Sequence, residues 1–184
     1  MPTLPAQRVR LRWLSEKDVP ALFTVFGDPE VTRYWGHSVL PDSSAATALL
    51  EDIHEKFAQQ RLFQWGVTLL DTDALIGTCT LASINPENRR AELGFALARA
   101  YWGQGYMHDA LGVLLRFGFS EMQLHRLTAD TDPRNERSIR TLERLAFRRE
   151  GYLREHYLLH GEPQDSILYG LLYSDWQKFN SPTF

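Results

Sequence analysis

The sequence predicts an α/β fold of the α+β kind, in which a mixed, mostly antiparallel twisted sheet is flanked by helices. Two observations carry this prediction. Three strand-like runs follow one another in the middle of the chain, which is typical of an antiparallel meander. A strand, helix, strand, helix order comes after them and indicates a sheet covered by helices. The length of 184 residues suits one domain, and we expect residues 1–184 to form it.

The first part of the chain predicts a strand and a helix. Residues 8–13 alternate arginine with apolar residues, the pattern of a strand with one face in the core, here near a sheet edge. The sequence Ser15-Glu-Lys-Asp18 has the form of a capping box and begins a helix that runs to about Phe26. The pair Asp28-Pro29 is expected to end this unit.

A second helix precedes the meander. It begins near Asp42 or Ser43 and runs to about Gln60, because apolar residues recur there at helical spacing. Three short runs with strand character follow, separated by turn signals: FQWGVTLL, LIGTCTL and AELGFAL. These runs are the predicted antiparallel meander.

The last part of the chain predicts two helices and three strands. A helix is expected from Tyr106 to about Ser120 and a strand from His125 to Thr131. Another helix is expected from Glu136 to Leu145, and a final hairpin around residues 160–163. No repeat or low-complexity segment interrupts this order.

Composition excludes several classes of protein. The formal charge of -3 gives no general attraction to nucleic acid or to an anionic membrane, so neither is an expected partner. The one cysteine, Cys79, lies in a strand-like run and is expected to be a buried thiol. The start of the chain lacks the apolar core of a signal peptide, and no run approaches the ~18 apolar residues of a spanning helix. We therefore expect a cytoplasmic protein.

Two glycines one residue apart stand out in the stretch YWGQGYMHDAL, residues 101–111. Gly103 and Gly105 connect a predicted strand to the N-terminus of a predicted helix. The first amides of a helix have no intrahelical partners, and its dipole favours negative charge. Glycines let the backbone approach a phosphate closely. The stretch therefore indicates a phosphate or pyrophosphate site, although a tight turn chosen for backbone angles alone explains the glycines equally well.

Two common nucleotide motifs do not fit this turn. A Walker loop needs Gly-Lys-Ser/Thr, whereas Gly105 is followed by Tyr106 and Met107. A dinucleotide fingerprint needs a third small residue where His108 stands, and it opens a parallel unit and does not close a meander.

Together with a second motif, these residues resemble the Gcn5-related N-acetyltransferase (GNAT) superfamily and its ribosomal-protein (RimJ/RimL-like) branch. The resemblance runs from RVRLRWLSEKDVPALF through AELGFALARAYWGQGYMHDAL to DSILYGLLYSDW. The second motif is DPRNERSIRTLERLAF, similar to the family's Asn-x-x-Ser helix start with a Leu-Gly-Phe ending. The resemblance implies an enzyme that transfers acetyl from acetyl-CoA to a primary amine by direct attack in a ternary complex.

The resemblance also implies the cofactor site. The strand before the glycines pairs with the pantetheine arm and holds the thioester carbonyl, the glycine loop holds the pyrophosphate, and the asparagine of the second motif approaches the arm. The implied cofactor-binding residues are Phe95, Ala96, Leu97, Ala98, Trp102, Gly103, Gln104, Gly105, Tyr106, Met107 and Asn135.

Two positions depart from the family pattern. Ala100 stands where the family has Gln or Arg, with Arg99 displaced by one, and the effect should be small because backbone amides hold the phosphates. Ala146 stands where the family has glycine, which costs about 1 kcal/mol if the position is left-handed.

Two residues are candidates for catalysis. In AELGFAL, Glu92 shares a strand face with Gly94 and Ala96, so it could look into a cleft bordered by small residues. The resemblance favours Glu92 as a base that acts through water, while a solvated or salt-bridged glutamate is the ordinary alternative. Ser138 is implied to protonate the departing thiolate; as alternatives, Asn135 is an N-cap and Ser138 a first-turn polar residue.

Two further patterns have ordinary explanations. Arg137, Arg140, Arg144 and Arg148 recur at spacings of three and four, which is more typical of a solvated helix face than of a contact with the 3′-phosphate of the cofactor. His156 and His160 flank a strand-like run that separates them by roughly 13 Å, so we expect no metal site.

The acceptor groove is expected between the early helices and the final hairpin, lined by Tyr34, Trp35 and Tyr157. By resemblance the acceptor is a protein N-terminus. An aminoglycoside, a polyamine or an amino-acid analogue is the alternative within the same chemistry, and a non-catalytic acyl-CoA sensor is the alternative from another class. A homodimer is left open.

Overall fold

The computed structural model describes residues 1–35, 38–159 and 161–181. Its strands are β1 Leu4–Pro5, β2 Val9–Arg12, β3 Leu62–Leu69, β4 Leu75–Asn85, β5 Arg90–Leu97, β6 Arg126–Thr131, β7 Arg148–Leu159 and β8 Glu162–Leu172. Its α-helices are α1 Val19–Phe26, α2 Pro29–Thr32, α3 Ser43–Ala58, α4 Tyr106–Arg116, α5 Glu136–Arg144 and α6 Tyr173–Asn180. Short 3₁₀ turns precede α1 and follow β5, and a π-helical segment, Phe117–Glu121, extends α4.

The described strands form one sheet in the order β1-β2-β3-β4-β5-β6-β8-β7. Neighbouring strands are antiparallel except for β5 and β6, which are parallel. The predicted fold class is therefore confirmed, including the meander of β3, β4 and β5. The turn of the predicted final hairpin includes His160, which lies outside the described residues, but its strands β7 and β8 pair as expected.

Helices cover both faces of the sheet. On one face, α4 docks by its apolar stripe of Met107, Ala110, Leu111, Leu114 and Leu115, all buried as the spacing predicts. This core also contains apolar residues of α5 and α6. On the other face, α1, α2 and α3 pack in a second core around Leu22, Leu50 and Ile53. Cys79 is buried in β4, and burial raises the pKa of its thiol well above the usual range.

The helix ends show which local predictions held. The N–H of Ser15 donates to the Asp18 carboxylate (2.8 Å), and the side chain of Asp42 caps α3. Asp28 caps a further short helix, α2, with Pro29 in its first turn, so the prediction that this pair only ends the preceding helix was incomplete. The helix α6 was not predicted.

The end of α5 shows whether the position of Ala146, where the family has glycine, is left-handed. Ala146 has a φ of 64°, in the left-handed region. Its N–H donates to the Glu143 carbonyl (3.1 Å), and the N–H of Phe147 donates to the Leu142 carbonyl (3.1 Å). This is the Schellman pattern of a helix end, with Phe147 and Leu142 both buried in the core. An alanine therefore occupies a position that favours glycine.

The sheet splits at one place. The parallel pairing of β5 with β6 covers Arg90–Glu92 and Arg126–Thr128, and no pairing is found beyond it in the described residues. The ends of the two strands separate from there on, and the gap between them positions the site described next.

Candidate active site

Two adjoining clefts meet where β5 and β6 separate. The first has a volume of about 380 Å³ and is lined by residues of β5, β6, α5 and β7; the second lies between the end of β5, the glycine turn and α5. Five residues line both: Tyr34, Trp35, Phe95, Asn135 and Ser138. The two clefts are therefore parts of one groove, and we call them the acceptor end and the cofactor end.

The backbone of β5 presents free hydrogen-bonding groups to this groove. The N–H of Ala98 donates to the Ile76 carbonyl (2.8 Å), in register with the ladder in which Leu97 lies opposite Gly77. Because hydrogen-bonded and non-bonded pairs alternate along an antiparallel ladder, the N–H groups of Phe95 and Leu97 point away from β4. They face the gap left by β6, where an extended ligand can take the place of a strand.

The glycine turn has the conformation that only glycine adopts readily. Gly103 and Gly105 have φ of 73° and 81°. A Cβ atom on Gly103 would meet nothing within 4 Å, whereas one on Gly105 would come within 2.9 Å of the Arg8 guanidinium. The turn therefore needs glycine for its backbone angles, and at Gly103 it also leaves open space beside the first amides of α4.

Asp109, a residue that the sequence did not indicate, fixes the N-terminus of α4. Its carboxylate accepts the N–H groups of Gln7 (3.2 Å) and Arg8 (2.8 Å) from the connection between β1 and β2. The Arg8 guanidinium also lies 4.7 Å from the centre of the Tyr106 ring. These contacts hold the helix start beside the glycine turn.

Trp102 closes the end of β5. Its indole N–H donates to the Leu97 carbonyl (2.7 Å), and the Arg137 guanidinium lies 4.5 Å from the centre of its ring. This cation–π contact spans the cofactor end from the turn to α5.

The start of α5 carries the second motif. The Asn135 side chain accepts the N–H of Ser138 (3.2 Å), so it is an N-cap, as its ordinary explanation predicts. Ser138 is half-buried and lines both ends of the groove. The cap thus fixes the start of α5, which presents Ser138 to both ends of the groove.

Four arginines line the cofactor end: Arg33, Arg137, Arg140 and Arg144. Arg33 pairs with Glu30 (3.7 Å) and Arg140 with Glu136 (3.0 Å), while no ion pair is found for Arg137 or Arg144 in the part of the chain that the structure describes. Arg148 does not belong to this stripe, because α5 ends at Arg144 and Arg148 begins β7, where it pairs with Asp175 (3.3 Å).

The acceptor end carries the opposite charge. Glu92 points into it from β5 and accepts a hydrogen bond from the Ser83 hydroxyl (3.3 Å). Asp130 and Asp132 line it from the other side of the gap. Of these three carboxylates, the sequence analysis singled out only Glu92. Asp130 lies in β6, and Asp132 is the first residue of the second motif, in which only Asn135 and Ser138 were given roles.

Asp132 organises the lining of the acceptor end. Burial disfavours its ionisation, but the Arg134 side chain and backbone N–H donate to it (2.5–2.8 Å) and keep the pKa of the carboxyl below its usual range. The Tyr157 hydroxyl lies 3.5 Å from both Asp132 and the Tyr34 carbonyl. Burial and the negative charge of Asp132 raise the pKa of Tyr157 to about 12, so its hydroxyl keeps its proton at neutral pH.

Most predicted site residues come together in the groove. The predicted residues that line it are Tyr34, Trp35, Glu92, Phe95, Ala96, Leu97, Trp102, Gly103, Gly105, Met107, Asn135, Ser138 and Tyr157. Ala98, Gln104 and Tyr106 do not line it. Ala98 is buried beside α1–α3 with its N–H and carbonyl both hydrogen-bonded, the Gln104 side chain donates to the Ala100 carbonyl (2.8 Å), and Tyr106 packs on Tyr101.

Neither end carries a metal centre in the described ranges, where no group of three or more His, Cys, Asp or Glu side chains is placed to hold an ion. Among the same residues, no helix has the length and apolar character needed to cross a membrane.

Comparison with known proteins agrees with this geometry. Residues 8–148 match the family model of the acetyltransferase (GNAT) domain. The chain is 34% identical over 172 residues to the uncharacterized N-acetyltransferase p20 of Bacillus licheniformis, covering 94% of this chain and 97% of that protein. It is 31% identical over 130 residues to the [ribosomal protein uS5]-alanine N-acetyltransferase of Escherichia coli, covering 70% of this chain and 67% of that protein.

A solved structure gives the same result for the fold. The acetyltransferase (GNAT family) from Bacillus anthracis superposes with a TM-score of 0.84 at 26% identity, covering 94% of this chain and 99% of that chain. The family-model match, residues 8–148, spans both motifs, the glycine turn and the start of α5. The chain therefore belongs to the GNAT superfamily and is an N-acetyltransferase with ribosomal-protein acetyltransferases among its relatives.

Proposed function

We propose that this enzyme transfers the acetyl group of acetyl-CoA to the N-terminal amine of a protein, with both substrates bound in the groove at once. The observation that carries the proposal is the junction of the two ends. A basic cleft and an acidic cleft meet at Phe95, Asn135 and Ser138, so an anionic donor and a cationic acceptor can enter from opposite sides. Direct attack requires this arrangement.

The cofactor end fits acetyl-CoA. The open space at Gly103 and the first amides of α4 suit the pyrophosphate. The N–H groups of Phe95 and Leu97 would bind the pantetheine arm and the thioester carbonyl, as a replacement for the missing strand. Arg137, Arg140 and Arg144 would meet the 3′-phosphate, against the ordinary interpretation of their spacing as a solvated face.

The chemistry follows from the residues at the junction. The acceptor arrives as an ammonium ion, and Glu92 would draw one proton from it through water. The free amine then attacks the thioester carbon, the carbon–nitrogen bond forms and the carbon–sulfur bond breaks. Ser138 would donate its hydroxyl proton to the departing thiolate and regain the proton that the nitrogen loses. The products are an amide and the free thiol of CoA.

The acceptor is assigned with the help of the relatives. The Escherichia coli relative named above is a [ribosomal protein uS5]-alanine N-acetyltransferase. Tyr34, Trp35 and Tyr157 would contact the first residues of a peptide, and Glu92 and Asp130 would attract its ammonium group. A small amine, such as a polyamine, fits the same charge and is the second candidate.

A panel of acceptors tests the proposal. Release of free CoA thiol from acetyl-CoA is followed with peptides that begin with alanine or serine, with the same peptides blocked at the N-terminus, and with spermidine. We expect the highest kcat/KM for a free peptide N-terminus and no reaction with the blocked peptides. A higher kcat/KM for spermidine would establish the second candidate. If none of the acceptors in the panel supports thiol release, both assignments are refuted.

Acetyl-CoA binding can be measured separately. A ligand that binds only the folded state raises its thermal stability. We expect a shift of the unfolding temperature with acetyl-CoA that is much smaller with NAD or ATP. Equal shifts would contradict the cofactor assignment and favour a general anion site.

A further inference from the structure

Two neighbouring residues of β7, His156 and Tyr157, line the acceptor end together. In a regular strand, successive side chains point to opposite faces. The pairing of β7 with β8 shifts register between Leu153 and Tyr157, and Glu155 has a φ of 50°. An insertion of this kind is a β-bulge, which redirects side chains and is frequent beside active sites. The bulge therefore explains how His156 reaches the groove.

Asp165 of β8 holds the bulge in place. One carboxylate oxygen accepts the N–H of Glu155 (2.8 Å), and the other accepts the Tyr152 hydroxyl. These bonds keep the pKa of the Asp165 carboxyl below its usual range, so the carboxyl is ionised at neutral pH. Strained backbone positions persist only where surrounding contacts fix them, and they concentrate at functional sites.

The ring of His156 lies against a carboxylate. Its Nδ1 is 4.0 Å from an Asp130 oxygen, and Asp130 in turn accepts the Ser166 hydroxyl (3.2 Å). The side chain of His156 is 40% exposed, so it can exchange protons with water. The other charged or titratable groups around this end are Glu92 on β5, Asp132 with its partner Arg134, Tyr34, and Tyr157 on the same strand.

We propose that His156 is the final proton acceptor of the acceptor end, with Asp130 orienting its ring and Asp165 as a positioning residue. The proposal rests on the acetyl transfer proposed above. The N–H bond of the bound ammonium breaks, the nitrogen keeps the electron pair, and the proton passes through water and Glu92 to the imidazole and then to solvent. The imidazolium formed on the way faces Asp130.

Elementary acid–base chemistry favours an imidazole at the end of this path. An imidazole has two ring nitrogens, so it can accept a proton on one of them and release a proton to water from the other. A carboxylate that already accepts the Ser83 hydroxyl, as Glu92 does, is suited to pass the proton on. In this path, Glu92 passes the proton on and His156 is the last protein group that carries it.

A mutant cycle over pH tests the proposal. Initial rates of thiol release with an alanine-initiated peptide, or with spermidine if the panel selects it, are measured from about pH 6 to about pH 9 for four variants. These are His156→Gln, Glu92→Gln, the double variant, and His125→Gln, which removes an exposed imidazole outside the groove. We expect losses of roughly 10²-fold for each groove variant near pH 7. The double variant should lose no more than the worse single one, because both act in one path.

The pH profile separates a proton acceptor from a structural residue. Without His156 the rate should follow the neutral fraction of the amine itself, so the defect should shrink about tenfold for each pH unit up to the amine pKa. A defect that stays constant with pH, or a double variant with multiplied losses of about 10⁴-fold, would refute the role of His156. His125→Gln should match the wild type.

Asp165 provides a second test. Asp165→Asn keeps an oxygen for the N–H of Glu155 and should retain activity, while Asp165→Ala should show the pH-dependent defect of His156→Gln. An equal loss at every pH in Asp165→Ala would make Asp165 structural and overturn the positioning role. If the wild type releases no thiol with any acceptor, the proposed function itself has failed; turnover by the wild type with a normal His156→Gln variant refutes only the present proposal.

Discussion

The two ends of the groove differ in charge and in how the chain builds them. The cofactor end is lined by four arginines and two glycines, while the acceptor end is lined by Glu92, Asp130, Asp132 and a histidine. The anionic cofactor and a cationic amine are therefore each attracted to one side and repelled from the other. Under the proposed function, these charges would favour entry of each substrate at its own end of the groove.

The ends also differ in their origin along the sequence. The cofactor end comes mainly from one continuous stretch, residues 95–108, and from one helix, α5. The acceptor end is assembled from five separate segments, residues 34–35, 92–95, 129–132, 135–142 and 156–157. A continuous stretch can carry a recognisable motif, whereas a surface made of distant segments cannot.

The largest expected effect is a change at the acceptor end that leaves the cofactor end intact. Glu92→Gln keeps the size of the side chain and its hydrogen bond with Ser83 but removes its charge. Turnover should fall roughly 10²-fold near pH 7, and less at higher pH where the amine is already neutral. The dissociation constant of acetyl-CoA, measured by calorimetry, should be unchanged. Normal turnover of the Glu92→Gln variant would show that Glu92 has a structural role and is not the base.

A second substitution, at the glycine turn, changes the cofactor end and leaves the acceptor end intact. Gly103→Ala forces a Cβ onto a left-handed residue that borders the pyrophosphate position, so the dissociation constant of acetyl-CoA should rise about tenfold, or ~1.4 kcal/mol. Gly161→Ala is the matched control, because Gly161 also has positive φ and open space but lies in the β7–β8 turn. Both variants should lose similar stability by backbone strain. Equal effects on affinity would show that the glycines only form a turn.

A smaller effect on CoA affinity is expected when arginines of the cofactor end are replaced. Arg140→Ala combined with Arg144→Ala should weaken CoA binding about fivefold, within the range of exposed ion pairs, and leave dephospho-CoA unaffected. The difference should diminish with added salt. Arg148→Ala is the control, since Arg148 pairs with Asp175 outside the groove. Equal losses for the two ligands would make the stripe a general anion-attracting surface and not a 3′-phosphate site.

The smallest expected effect lies outside both ends. Ala146→Gly should raise the free energy of unfolding by about 1 kcal/mol, because it relieves a left-handed alanine at the end of α5. Urea unfolding measures this change, and Ala48→Gly, in an exposed turn of α3, should lower stability by a similar amount. Kinetics at both ends should be unaltered. A less stable Ala146→Gly variant would mean that the alanine methyl packs well enough to outweigh the strain.

The sequence by itself determined the fold class and most of the cofactor end. Alternation and helical spacing are local signals, and they placed the meander, α3, α4 and α5. The glycine turn was recognisable because the backbone conformation it requires restricts the residue types, and both glycines are left-handed as that reasoning needs. Ala146 was detectable for the same reason, because it is an alanine at a left-handed position that favours glycine.

Only the tertiary structure showed how the acceptor end is assembled, although Tyr34, Trp35, Glu92 and Tyr157 were expected there from the sequence. Asp130 and His156 carry no local signal, since a polar residue near the end of a strand is as common in solvent as in a site. Asp132 opens the second motif, but the motif gave it no role. The bulge at Glu155 is held by Asp165 from a neighbouring strand, and the gap that exposes Phe95 depends on where β6 leaves β5. Such contacts join residues far apart in the chain, so their energies are set by packing and register, which no short stretch of sequence specifies.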